Sequence, residues 1–167
     1  MANSLVRKYG DPVLREKCKP VEVFDEELKS FVESMFSIMK AARGVGLAAP
    51  QVGDTRRVFI IDLSEHDFDA EPMVFINPVI EEREGEQPGE EGCLSFPGLY
   101  LEVTRPERLI LRFQDLEGRT QRVEAQGFAA RAIQHESDHL DGVLFIDHLT
   151  PSERDMLAGK LKKIKVG

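Results

Sequence analysis

The stretch QHESDHLDG, Gln134–Gly142, places two of the chain's four histidines four residues apart, with a glutamate directly after the first. The residues before it, from Phe128 on, include Ala129, Ala130, Ala132 and Ile133 and favour a helix running to His139. On a helix, positions four apart differ by only ~40° in rotation and ~6 Å along the axis, so both imidazoles leave one face. They can close on a single metal ion. Glu136 sits roughly 100° further round than His135, beside such an ion rather than on it, where it can handle the protons of a bound water. H-E-x-x-H is the pattern of zinc-type hydrolases. Its bland alternative is a pair of partly exposed helix histidines with no ligand.

Working outward, the apolar residues Leu28, Phe31, Val32, Met35, Met39 and Ala42 recur at three- and four-residue steps. They predict an amphipathic helix over 25–42, capped by Asp25 and ended by Gly44. Short β-rich runs follow at 57–63, 73–80, 99–103, 108–115 and 119–125. In the fourth, Leu109, Leu111 and Phe113 alternate with Arg108, Ile110 and Arg112, as in a strand with one face on a core. DLEG, 115–118, reads as a hairpin turn. A last helix starts near Pro151 and carries Met156, Leu157, Leu161 and Ile164. Helices at both ends with antiparallel-looking strands between them give an α+β fold.

The chain has 167 residues, 41% hydrophobic and 31% charged, which suits one catalytic domain over 1–167. No apolar run approaches the roughly 20 residues that span a bilayer. The opening residues show no signal core, so they read as mature sequence of a cytoplasmic protein. Two cysteines, Cys18 and Cys93, make no disulfide framework and are expected to be free thiols. A net charge of -8 argues against specific nucleic-acid recognition. The tail KLKKIKVG is a local exception. It reads first as a helix end complementing its own dipole, and second as a docking patch for an anionic partner.

A catalytic metal usually takes three protein ligands and an open position. Downstream of His139, Asp141 stands at a poor angle and the other acidic residues are close to the chain end. Cys93, in EEGCLSFPG, is the better candidate, against its reading as a small buried apolar residue. Cys18 has no partners nearby. His66, in the polar run SEHDFDAEP, reads as a solvated loop residue, and His148 as one capping the approach to the last helix.

GVGLAAPQVG, 44–53, adds a small-residue loop ending in a glutamine. GVGLAAPQ, EGCLS and QHESDHLDG, in this order and spacing, resemble the three signature motifs of peptide deformylases, bacterial branch. The similarity runs from RKYGDPVLR to LFIDHL. It implies an α+β fold in which antiparallel or mixed sheets surround the central HExxH helix, with one helix N-terminal and another C-terminal. The resemblance implies a metal-dependent amide hydrolase that removes the formyl group from the formylmethionine of nascent polypeptides by attack of a metal-activated water. Residue by residue, it implies Cys93, His135 and His139 as metal ligands and Glu136 as general acid–base. Gln51 and the Leu94 N–H would hold the formyl oxygen, and Gly46 would offer its backbone to the substrate. Fe²⁺ is the implied cofactor, with Zn²⁺, Ni²⁺ or Co²⁺ able to substitute. Gly44, like Gly46, would let the backbone approach an extended substrate. Val45, Phe128 and Ala132 are expected as walls for the methionine side chain, against their reading as plain core, Phe128 and Ala132 because they precede the ligands on one helix face. Glu91 is expected to brace the centre, in a pair with Arg105. A metallopeptidase cutting internal bonds and a non-catalytic structural-zinc module are the rival readings.

Overall fold

The computed structural model describes residues 5–66 and 70–166; Asp67–Asp69 of the expected SEHDFDAEP loop lie outside them. The first long helix, α1 (Glu26–Ala41), begins as its sequence dictates: the Asp25 side chain accepts from the Leu28 N–H at 3.0 Å. Leu28, Val32, Met35 and Met39 are buried against Leu47, Val58, Ile60 and Ile76. Full burial of each such side chain is worth roughly 1.5–3 kcal/mol, so this face, rather than helix propensity, holds α1 in place. At its end the left-handed residue is Arg43 (φ 61), not Gly44. A Cβ at Gly44 would stand 2.6 Å from Leu94 Cδ1, so that side chain would have to shift.

A five-stranded antiparallel sheet follows: β1 (Gly46–Ala48), β2 (Val58–Ile61), β3 (Met73–Glu84), β6 (Arg108–Gln114) and β7 (Thr120–Gln126), in the order β1-β2-β3-β6-β7. The alternation read in β6 is observed, with Leu109, Leu111 and Phe113 buried. Asp115–Arg119 close the β6–β7 hairpin, with Gly118 at φ +79 and donating to Asp115 O at 2.9 Å. A separate hairpin pairs β4 (Gln87–Gly92) with β5 (Tyr100–Arg105).

The central helix, α2 (Gly127–Leu140), packs against β1, β2, β6 and β7 on one side. Its residues Arg131 and His135 reach Glu91 of β4 on the other. It is therefore sandwiched between the two sheets, and most of its residues from Ala130 to Leu140 are buried. The expected last helix is two: α3 (Pro151–Met156), capped by Thr150, and α4 (Ala158–Val166). Thr150, not His148, is the cap.

Residues near the start of the chain take part in this framework. Arg7 N donates to Gln51 O at 2.6 Å and Tyr9 N to Ser95 O at 2.9 Å. Arg15 Nη1 binds Gly142 O at 3.1 Å and Asp147 at 2.6 Å. Among the described residues no helix is long and apolar enough to cross a membrane.

Candidate metal centre

Three elements meet at one point. The i,i+4 spacing on α2 presents His135 and His139 together, their rings 5.2 Å apart. Cys93, directly after β4, brings its sulfur to 3.6 Å from His139 Nε2. One atom from each of Cys93, His135 and His139 able to ligate a metal lies within 4.8 Å of the others. No fourth His, Cys, Asp or Glu joins them among the described residues. Cys18 is instead buried in the core between the large sheet and α2, where burial pushes its thiol up to about 11.

The rings are oriented from behind. His135 Nδ1 donates to Glu91 Oε1 at 2.9 Å, which leaves Nε2 for the centre. Glu91 is shared by Arg105 (2.7 and 2.8 Å) and Arg131 (2.6 Å), all three buried. Burial alone would raise the Glu91 carboxyl, but Arg105 and His135 hold it well below the usual carboxylate range. Arg131 also donates to Val103 O and Gln87 O, both at 2.8 Å, stitching α2 to the β4–β5 hairpin.

The charge state of the pair fits a cation. Burial and the neighbouring His135 push His139 down to about 3. Burial opposes a proton on His135 too, yet Cys93 and Glu91 outweigh it and raise the group. Two such close imidazoles do not both charge readily. The donor set thus calls for one positive charge at its middle, the place a divalent ion would take. Two polar atoms, Glu136 Oε1 and His139 Nδ1, are buried with no partner among the described residues. An orphaned carboxylate oxygen beside a Cys-His-His set fits a site whose remaining partner is a water held next to an ion.

Glu136 lies beside the ligands, and burial, the first cause, raises its carboxyl to about 7. Gly46 makes this possible, because a Cβ there would stand 2.6 Å from Glu136 Oε2. The glycine expected to admit a substrate also makes room for the carboxylate.

Gln51 sits on a buried 3-10 turn (Ala49–Val52) after β1. Its Oε1 accepts from Ala48 N at 3.0 Å, so its NH₂ end faces Ser95 Oγ (3.0 Å) and Cys93 Sγ (3.6 Å). A cleft of about 420 Å³ opens over these groups. Gly44, Val45, Gly46, Gln51, Cys93, Leu94, His135 and Glu136 all line it.

Phe128 and Ala132 do not. Phe128 is 47% exposed and packs against the His66 ring at 5.2 Å. It shares a face with His135 but lies ~10 Å away along the axis. Ala132 is buried in the core cluster against the large sheet. Sequence reading also missed Ser95 and Arg131. Ser95 carries no periodic signal, but Arg131 is a charge set between Ala130 and Ala132 on a buried face, a sign of a buried partner.

An α+β fold with a central helix and a Cys-His-His group able to hold a metal ion defines a narrow class of protein. Residues 4–155 match the sequence profile of the polypeptide deformylase family. The chain is 50% identical over 142 residues to the peptide deformylase of Dictyoglomus turgidum, spanning 85% of this chain and 90% of that protein. It is 46% identical over 160 residues to that of Thermotoga maritima, spanning 95% and 94%. Its fold superposes on the peptide deformylase from Thermus thermophilus with a TM-score of 0.89 and 44% identity, covering 97% of both chains. For a Synechococcus elongatus peptide deformylase in complex with actinonin the TM-score is 0.87 at 46% identity, covering 95% of this chain and 85% of that one. The chain belongs to the polypeptide deformylase family, and is an enzyme of that family. This membership disfavours a metallopeptidase that cuts internal bonds.

Proposed function

We propose that residues 1–167 form one catalytic unit that hydrolyses the N-terminal formyl group of formylmethionyl nascent peptides in the cytoplasm. The observation that carries this reading is the convergence of Cys93, His135 and His139 within 4.8 Å, with Glu136 and the Gln51 amide at the same point. Fe²⁺ is the proposed physiological ion, with Zn²⁺, Ni²⁺ or Co²⁺ able to replace it. A thiolate and two neutral imidazoles would hold it with a formal charge of about +1. When bound, the ion supplies Lewis acidity that lowers the pKa of a water from about 15.7 towards ~7.

The protein's own groups supply the rest. Glu136, with its carboxyl near 7, takes a proton from the attacking water and returns it to the departing amine nitrogen. The C–N bond of the formamide breaks, formate leaves, and the peptide keeps a free amino terminus. As the formyl carbon becomes tetrahedral, its oxygen gains negative charge, and the Gln51 NH₂ and Leu94 backbone N–H are the donors proposed to receive it. The Ala48 N–H holds the Gln51 amide in the required orientation. Gly44, Val45 and Gly46 line the cleft and would carry the substrate backbone. Lys160, Lys162, Lys163 and Lys165 are exposed on α4 and form the proposed contact with the ribosome. Replacing all four with glutamine, which spares the buried Leu161, should abolish co-sedimentation.

The deciding experiment compares formyl-Met-Ala-Ser with acetyl-Met-Ala-Ser, with metal analysis of the same sample. Release of formate alone supports the proposal. Equal cleavage of both would favour a general amidase or peptidase, and bound metal without turnover a structural site.

A further inference from the structure

The ion-pair network behind the centre reaches the surface at His148. Arg105 gives Nε and Nη2 to Glu91, while its Nη1 donates to Asp138 Oδ2 at 2.8 Å. That same Nη1 lies 3.3 Å from His148 Nε2, which is itself 3.0 Å from Asp138 Oδ2. His148 ends the Phe145–His148 turn with its side chain 38% exposed, whereas Arg105 and Glu91 are each 4% exposed. One ring nitrogen therefore faces a guanidinium that only donates and a carboxylate that only accepts. It cannot serve both in the same state.

We propose that His148 is a positioning residue for the metal centre: its Nε2, as acceptor or donor, decides how Arg105 divides itself between Asp138 and the Glu91 that holds His135. The inference rests on the metal-site reading above. With a lone pair on Nε2, the second Nη1–H of Arg105 is received by His148 and the first by Asp138, so Arg105 is anchored away from Glu91. With the ring charged, Nε2–H turns to Asp138, and imidazolium and guanidinium compete for one carboxylate. Arg105 then leans on Glu91 and draws electron density from it. Glu91 becomes a weaker acceptor for His135 Nδ1–H, and the His135 nitrogen facing the centre becomes less basic. Protonating His148 thus loosens the cation.

Among the described residues, the charged groups around the ring are few. Asp138 comes from α2 and Arg105 from β5; the adjacent Asp147 is taken by Arg15 at 2.6 Å and Arg154 at 3.6 Å. Histidine is the side chain whose charge changes between about pH 5 and 8.

The test follows release of zinc from the loaded protein into excess chelator across that range. Wild type is compared with His148→Gln, which stays neutral, and His148→Lys, which stays charged, with folding checked by far-UV circular dichroism. Losing a direct outer partner of a metal ligand typically costs about 10–100-fold in affinity; acting two contacts away, His148 should give about 3- to 10-fold. The wild-type to Gln rate ratio is expected near one on the alkaline side. It should rise by that factor as the pH falls towards the acid end of that range. His148→Lys should release quickly throughout. A ratio that stays flat with pH overturns the proposal, and if His148→Lys does not fold, the wild-type and Gln profiles decide alone. Wild-type protein that binds no zinc would overturn the metal-site reading itself, a separate result.

Discussion

Gly46 and Glu136 compete for space: a carboxylate oxygen of Glu136 lies only 2.6 Å from the point a β-carbon at Gly46 would take. Gly46→Ala must therefore displace the Glu136 side chain. We expect a folded protein with normal metal content and kcat lowered by about 10²–10⁴, the usual worth of a positioned acid–base group. Steady-state assays on formyl-Met-Ala-Ser decide it, and unchanged kcat would show that Glu136 does not act from this position.

Glu136→Gln removes the proton carrier and keeps the shape. The neutral amide does not disturb Cys93, His135 or His139, so metal content should match wild type while turnover falls by several orders of magnitude. Metal analysis and kinetics on one preparation test both halves. Near-normal activity would remove Glu136 from the mechanism.

Glu91→Ala should injure both stability and metal retention. It leaves Arg105 and Arg131 buried with a lost partner and frees His135 Nδ1. Breaking a buried ion pair from one side costs about 3–5 kcal/mol, and losing the outer partner of a metal ligand about 10–100-fold in affinity. Urea unfolding and chelator competition measure the two effects. An unaltered affinity would argue that Glu91 is structural only.

Gln51→Ala removes a donor aimed into the cleft and leaves the Ala48 N–H without its acceptor. A loss of about 10²–10³ in kcat is expected, as for other oxyanion donors, with KM changed much less. A mutant altered in KM alone would reassign Gln51 to substrate binding.

The sequence was most readable where one residue's neighbours fix its direction. The step from His135 to His139 defines a face on any helix, and the alternation through Leu109, Leu111 and Phe113 defines β6. Asp25 marks the start of α1 by its capping chemistry. Elements defined by backbone pairing were hidden. β1 is three small or apolar residues, and β4, QPGEEG, has no alternation and contains proline and glycine. It is a strand because β5 pairs with it from Gln87↔Arg105 to Gly92↔Tyr100. For Phe128, helical periodicity gives a side of α2 and not the depth relative to a cleft. Arg131 and Ser95 were missed because their partners are set by tertiary contact, which local pattern does not carry.

The hydrogen bonds from Arg7 to Gln51 and from Tyr9 to Ser95, with Arg15 clasping Gly142, have a consequence for biogenesis. Residues translated early brace segments that emerge much later, and Gly142 follows even the His135–His139 pair. A half-made chain lacks both histidines, so on the proposed reading it would neither hold the ion nor turn over substrate until the distal helix clears the exit channel.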